Sequence, residues 1–289
     1  MKPSPCELDD AVARALASLE RARAPRPSAV VSLATGAGAL AGRLEQAGRL
    51  PFSRLEGSPA RWRDVLLHYG TLEGAPVWVF EDAPADAGRD DAPWHAAYPV
   101  WLAGASGAAS LIHVCAGAST SSASDGGLRA GSIALVRDHL NLSGGTVLMG
   151  LGSSRLGAQF PDQTRTHDAF LRRSALAICE RLGLHGAECV AACPLGPTLE
   201  TPAERRAFAA LGAQVSAQRL IEALHAAAHA GVGVLAAVLV VQESDEELDI
   251  ARIAARAAAL APAVDDLIVE MVRAARAEAW GRAREGEQA

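Results

Sequence analysis

Short runs rich in valine and alanine alternate with longer stretches of helical periodicity along nearly the whole chain. That alternation restricts the fold more than any other feature. Residues 29–33, 111–115, 133–136, 188–192 and 232–241 read as buried strands, and 7–23, 39–47, 99–105, 167–182, 202–211 and 220–230 as helices. Strands and helices in turn give a mostly parallel sheet with helices on both faces, an α/β fold. Residues 65–69 and 77–80 read as a strand pair around Gly70 and Gly74. A stretch of Asp, Ala, Pro and Gly at 81–93 has no period and reads as a variable loop, and 144–162 is a long glycine-rich connection. The closing segment, 244–289, carries a helix over 247–284 that is expected to break at Pro262. The 289 residues fit one domain, with 1–27 as an N-terminal helix and linker.

Composition removes several function classes. Lys2 is the only lysine beside 26 arginines, which excludes P-loop, Schiff-base and kinase-type lysine chemistry inside the fold. Any bound anion must be held by arginine, histidine, hydroxyls or backbone N–H groups. A net charge of −6 with no basic block argues against nucleic acid as a partner. The longest apolar runs, 30–40 and 231–241, are too short to cross a bilayer, and residues 1–23 lack a signal-peptide core. The five cysteines form no CxxC pair, and Cys189 and Cys193 have no histidine at ligand spacing. The expectation is a cytoplasmic protein with reduced thiols, no membrane partner, no metal and no cofactor.

Three segments carry chemistry. Thr35-Gly36-Ala37-Gly38 follows the first strand, where it is either a phosphate cradle or a tight strand–helix turn. Arg137-Asp138-His139 lies at an expected strand end, as a catalytic cluster or as an ion pair pinning the strand terminus. Gly196-Pro197-Thr198-Leu199-Glu200-Thr201-Pro202 places a carboxylate between a strand end and a helix start, the usual ligand crevice of an open α/β sheet. Glu200 is there either a purine N–H acceptor or an ordinary acid at a helix N-terminus.

In order and spacing, the glycine turn, "RDHLNL", "FP", "GPTLETPAE" and the run "LGAQVSAQRLIEALHAAAHAGVGVLAAVLVVQ" resemble the trimeric class of purine nucleoside phosphorylases, the group that includes methylthioadenosine phosphorylase. The resemblance covers residues 29–242. It implies a single α/β domain with a mixed, mostly parallel, twisted central sheet flanked by helices, assembled as a homotrimer. It implies a glycosyltransferase of nucleoside metabolism and purine salvage, with a purine nucleoside or base and inorganic phosphate as ligands. Phosphate is then a co-substrate and no cofactor is required. Glu200 stands where the family's base-binding glutamate stands, and Gln242 replaces an asparagine that bonds the purine edge. These two are the catalytic candidates. Phe160 matches a phenylalanine that reaches a neighbouring subunit's sugar site. Gln218 replaces the sugar-packing methionine. Thr35, the backbone N–H of Ala116, and Arg219 are the phosphate candidates.

The departures gather on phosphate and sugar. The family's Arg-x-His-x-Tyr-Glu-Gly motif would fall at 84–90, which reads "PADAGRD". Its Gly-Met-Ser-Thr motif is Ala217-Gln218-Arg219-Leu220, and the asparagine before its Ala-Ala-Gly-Gly turn is Cys115. Each lost charge-assisted contact costs roughly 1.5–3 kcal/mol. Arg89 and Arg219 are the arginines placed to compensate. Three readings stay open: a phosphorylase with a remodelled phosphate site and weakened activity, an inactive trimer that binds a purine or nucleoside, and an assembly or interaction protein.

Overall fold

In the computed structural model, residues 6–33, 39–81 and 92–286 are described, with side chains in the last helix to residue 277. Thr35 with the rest of the glycine turn, and Arg89 with most of the 81–93 loop, lie outside the described residues. Strand β1 (Ala29–Leu33) is buried at every position, as its run of small and β-branched residues requires between two helical layers. It lies between β4 (Ala75–Glu81) and β5 (Ser110–Ser119), parallel to both. The remaining strands are β2 (Glu45–Pro51), β3 (Leu66–Leu72), β6 (Ile133–Leu142), β7 (Gly186–Pro194), β8 (Val215–Ser216) and β9 (Gly233–Gln242).

The nine strands of the described residues run in the order β2-β3-β4-β1-β5-β8-β7-β6-β9, and β5 also pairs with β9. Strands β5 to β9 therefore close on themselves, while β1 to β4 extend as an open wing. Pairings are mixed: β2–β3, β3–β4, β5–β8 and β6–β9 are antiparallel and the others parallel. Among the described residues six helices flank the sheet: α1 (Glu7–Arg21), α2 (Tyr98–Ser106), α3 (Ala169–Arg181), α4 (Pro202–Ala210), α5 (Leu220–Ala230) and α6 (Ile250–Gly286). Alternate strand residues feed two cores. Val30, Leu111, Ala134 and Val238 pack with Trp62, Trp101 and Leu224 on one face. Val31, Ile112, Ile133 and Leu239 pack with Ile178, Leu267 and Met271 on the other.

Four expectations are corrected. The helix expected over 39–47 is a single 3-10 turn, Leu40–Arg43, followed by β2. Gly42 weakens a helix there, and pairing with β3 satisfies the backbone instead. β2 is an edge strand with mostly exposed side chains, so it shows no apolar alternation. β5 does not end at Cys115; it continues through Ser119, because β9 and β8 supply partners that far. The close approach needs Gly117, where a Cβ would sit 2.4 Å from the Ser216 carbonyl oxygen. β6 likewise continues beyond Arg137-Asp138-His139 to Leu142, through a bulge between Val136 and Asp138 that re-phases the ladder. α6 passes through Pro262 without a break. Val264, Leu267, Ile268, Met271 and Val272 bury its following turns against the sheet, which offsets the hydrogen bond proline removes.

No described helix is long and apolar enough to cross a membrane. All five cysteines are buried and unpaired. Among the described residues no group of His, Cys, Asp and Glu is placed to hold a metal ion. Burial drives the Cys179 thiol up to about 11 and the Cys189 thiol up to about 12, so both stay protonated at neutral pH.

Candidate active site

The carboxyl ends of β5, β7 and β9 set the site. β7 delivers the chain at Pro194 into residues 195–201, whose Gly196–Pro197 bond is cis. Thr201 then caps α4: its hydroxyl accepts from the Glu204 backbone N–H, and the Glu204 carboxylate accepts from the Thr201 N–H at 2.7 Å. This reciprocal cap, readable from Thr-Pro-Ala-Glu, fixes where α4 starts and so fixes the residues on either side. Glu200, just before it, is half-buried, and its carboxylate has no hydrogen bond or ion pair with any described residue.

Gln218 lies between β8 and α5 and donates from Nε2 to the Thr198 carbonyl oxygen at 2.7 Å. Its side chain crosses Gly196 closely enough that a Cβ there would meet Oε1 at 2.1 Å. Gln218 thus ties the Glu200 segment to the start of α5. Arg219, the next residue, holds a left-handed backbone with φ 62°. With Ser32, His113 and Glu222 it lines a hollow of about 20 Å3. That volume admits a single water. Ser32 is two residues before residue 34, so Arg219 lies on the side of the fold from which the glycine turn departs.

Gln242 ends β9 opposite Ala118 of β5 and is only 4% exposed. Its Oε1 accepts from Arg205 Nη2 at 2.7 Å, and its Nε2 donates to the Glu246 carbonyl oxygen at 3.3 Å. Arg205 projects inward from the first turn of α4 and also donates to the Glu243 carbonyl oxygen at 3.2 Å. Ala116 is a half-buried strand residue opposite Leu239. Phe160, on the connection between β6 and α3, is 89% exposed and does not join the other candidates. The structure therefore brings Glu200, Gln218 and Arg219 into one neighbourhood, holds Gln242 through Arg205, and leaves Phe160 outward.

Arg205 escaped the sequence reading. Its signal was present, since it occupies the inward row of α4 with Phe208 and Ala209, where an apolar residue is expected. Among the described residues the Arg137–Asp138 ion pair, one of the two alternatives expected there, is not formed. The Asp138 carboxylate accepts from the His139 backbone N–H, and His139 Nδ1 lies 3.0 Å from His167 Nε2, with the His225 ring 6.3 Å away. A larger cavity of about 540 Å3 lies at the other end of the strands, beside Ala29, Ser110 and Gly233, away from Glu200 and Gln242.

The profile of the phosphorylase superfamily matches residues 30–273. The chain belongs to that superfamily. Its curated relatives include purine nucleoside phosphorylase 1 of Geobacillus stearothermophilus, 31% identical over 196 residues, covering 64% of this chain and 67% of that one. Purine nucleoside phosphorylase 1 of Bacillus subtilis is 28% identical over 224 residues, covering 71% and 75%. Among solved structures, a schistosome purine nucleoside phosphorylase in complex with hypoxanthine superposes with a TM-score of 0.85 at 22% identity, covering 93% of this chain and 98% of that one. Isoform 2 of the Schistosoma mansoni enzyme, in complex with cytosine and ribose-1-phosphate, gives 0.82 at 22% identity, covering 91% and 95%. In this superfamily chain, as in those folds, a single α/β domain carries a mixed sheet flanked by helices.

Proposed function

We propose that this chain catalyses phosphorolysis of purine nucleosides, giving free base and ribose 1-phosphate or its deoxy counterpart. A phosphate oxygen bonds to C1′ as the C1′–N9 bond breaks, and the bonding pair leaves on the purine, which then takes up a proton. The observation that carries this reading is Glu200. It is a half-buried carboxylate with no partner among the described residues, held at a capped helix start and braced by Gln218 through Thr198. Such a group is organised to accept N–H donors from a base. Arg219, Thr35 and the Ala116 backbone N–H supply the phosphate side, where an arginine takes the place of a hydroxyl. Phe160 serves the sugar site of a neighbouring copy in a homotrimer, a role its 89% exposure supports. Five unpaired cysteines accord with a reducing cytoplasm.

The test is hypoxanthine release from inosine, with and without inorganic phosphate. Phosphate-dependent release with ribose 1-phosphate as co-product is expected, at a high phosphate requirement. Purine binding with no phosphate-dependent release overturns the catalytic reading and leaves a purine-binding protein.

A further inference from the structure

Arg205 is a buried cation, 5% exposed, and no carboxylate of the described residues pairs with it. Its three hydrogen-bonding nitrogens are unequally used. Nη2 donates to Gln242 Oε1, Nη1 to the Glu243 carbonyl, and Nε has no partner. It also stands in the first turn of a helix, where the macrodipole disfavours positive charge. A buried, unneutralised guanidinium is costly to a fold. A site that gains negative charge during its working cycle gives that cation an electrostatic role.

The orientation of the Gln242 amide follows from its neighbours. A guanidinium only donates, so the atom facing Arg205 is Oε1. A carbonyl oxygen only accepts, so the atom facing Glu246 is Nε2. One Nε2–H is left for a ligand. Charge-assisted donation into Oε1 polarises the amide and makes that remaining N–H a stronger donor, the more so in a buried setting.

We propose that Arg205 is a positioning residue that acts through Gln242, orienting and polarising its amide toward the electron-rich purine that leaves the sugar. The inference rests on the purine reading of the site. When C1′–N9 breaks, its electron pair is delocalised over the purine rings. A polarised N–H from Gln242, backed by the cation, stabilises that charge before the purine takes up a proton from water.

The experiment is calorimetric binding of two free purines, hypoxanthine and 8-azahypoxanthine, whose extra ring nitrogen makes its N–H more acidic. The native chain is expected to favour 8-azahypoxanthine. Arg205→Met is expected to lose about tenfold or more in affinity for it, with a much smaller loss for hypoxanthine. Arg205→Lys, which keeps a cation, should keep part of the preference. If Arg205→Met does not fold, Gln242→Met, which severs the relay, is expected to lose the same preference. An unchanged preference in the folded variants overturns the role of Arg205 and leaves the purine reading intact. Failure of the native chain to bind either purine overturns that reading and this inference together.

Discussion

Asp9 of α1 and Arg155 of the β6–α3 connection are joined twice. The Arg155 backbone N–H donates to Asp9 Oδ2 at 2.9 Å and its Nε–H to the same oxygen at 3.3 Å. Ser154 donates its hydroxyl to Asp9 Oδ1 at 2.6 Å. Asp9 is 7% exposed, while the Arg155 side chain is largely in solvent. The long connection that presents Phe160 is thus pinned to the N-terminal helix chiefly through one buried carboxylate.

Asp9→Ala removes that anchor and leaves the Arg155 N–H and the Ser154 hydroxyl without their acceptor. The expected loss is roughly 2–3 kcal/mol, dominated by the two part-buried hydrogen bonds rather than by the exposed guanidinium. Thermal unfolding measures it. Limited proteolysis should cut the connection near Phe160 faster than in the native chain. An unchanged melting temperature would show that the anchor carries no net stability.

The His139, His167 and His225 cluster predicts acid sensitivity. Burial holds all three below the usual imidazole value, His167 and His225 down to about 4. His139 lowers both neighbours further, while Asp138 pulls His139 and His167 back up. The unfolded chain therefore binds protons before the folded one as pH falls. Stability from these groups is complete above about 6.5 and declines from there to about 4. Melting temperature should fall through that window, and His167→Gln should flatten the slope. Asp9 acts lower: hydrogen bonds from Ser154 and Arg155 overcome the opposing, larger single effect of burial and hold it below the ordinary 3.8, so its contribution is lost only beneath that value.

Glu200 separates catalysis from stability. Because its carboxylate has no partner among the described residues, Glu200→Ala should change stability by no more than about 0.5 kcal/mol. A group that meets charge developing on the base is worth about 10²–10³ in rate. Steady-state inosine phosphorolysis should fall by that factor with the melting temperature unmoved. A fall of less than tenfold would remove Glu200 from the base site.

The strand–helix alternation and the bounds of α4 and α5 are legible because each depends on local chemistry: apolar period, and a proline and an acid in the first turn of α4. What was not legible depends on partners distant in sequence. β2 has no apolar alternation of its own and exists because β3 lies beside it. β5 and β6 run past their apolar stretches because β7, β8 and β9 continue alongside. The site follows the same division. Glu200 follows from the cap of its own segment, whereas Gln218 is set by Thr198, 20 residues earlier, and the use of Gln242 by Arg205, 37 residues earlier. The resemblance sets Gln242 in the place of a base-binding asparagine, and only the fold shows its oxygen already engaged.

Arg219 is the position where conformation and chemistry disagree most. A left-handed backbone costs a residue with a Cβ roughly 1 kcal/mol, yet an arginine holds φ 62° there. It sits ahead of α5 with Glu222 and His113 around the small hollow below the β1 exit. Glycine removes the backbone cost, so Arg219→Gly should be more stable than Arg219→Ala by about 1 kcal/mol. The two variants should be alike in function. If the guanidinium holds phosphate, both raise the KM for phosphate by about tenfold or more and shift the KM for inosine far less. Equal shifts in both constants would place Arg219 outside the phosphate site. A Gly variant no more stable than the Ala variant would show that the left-handed turn relaxes once the side chain is gone.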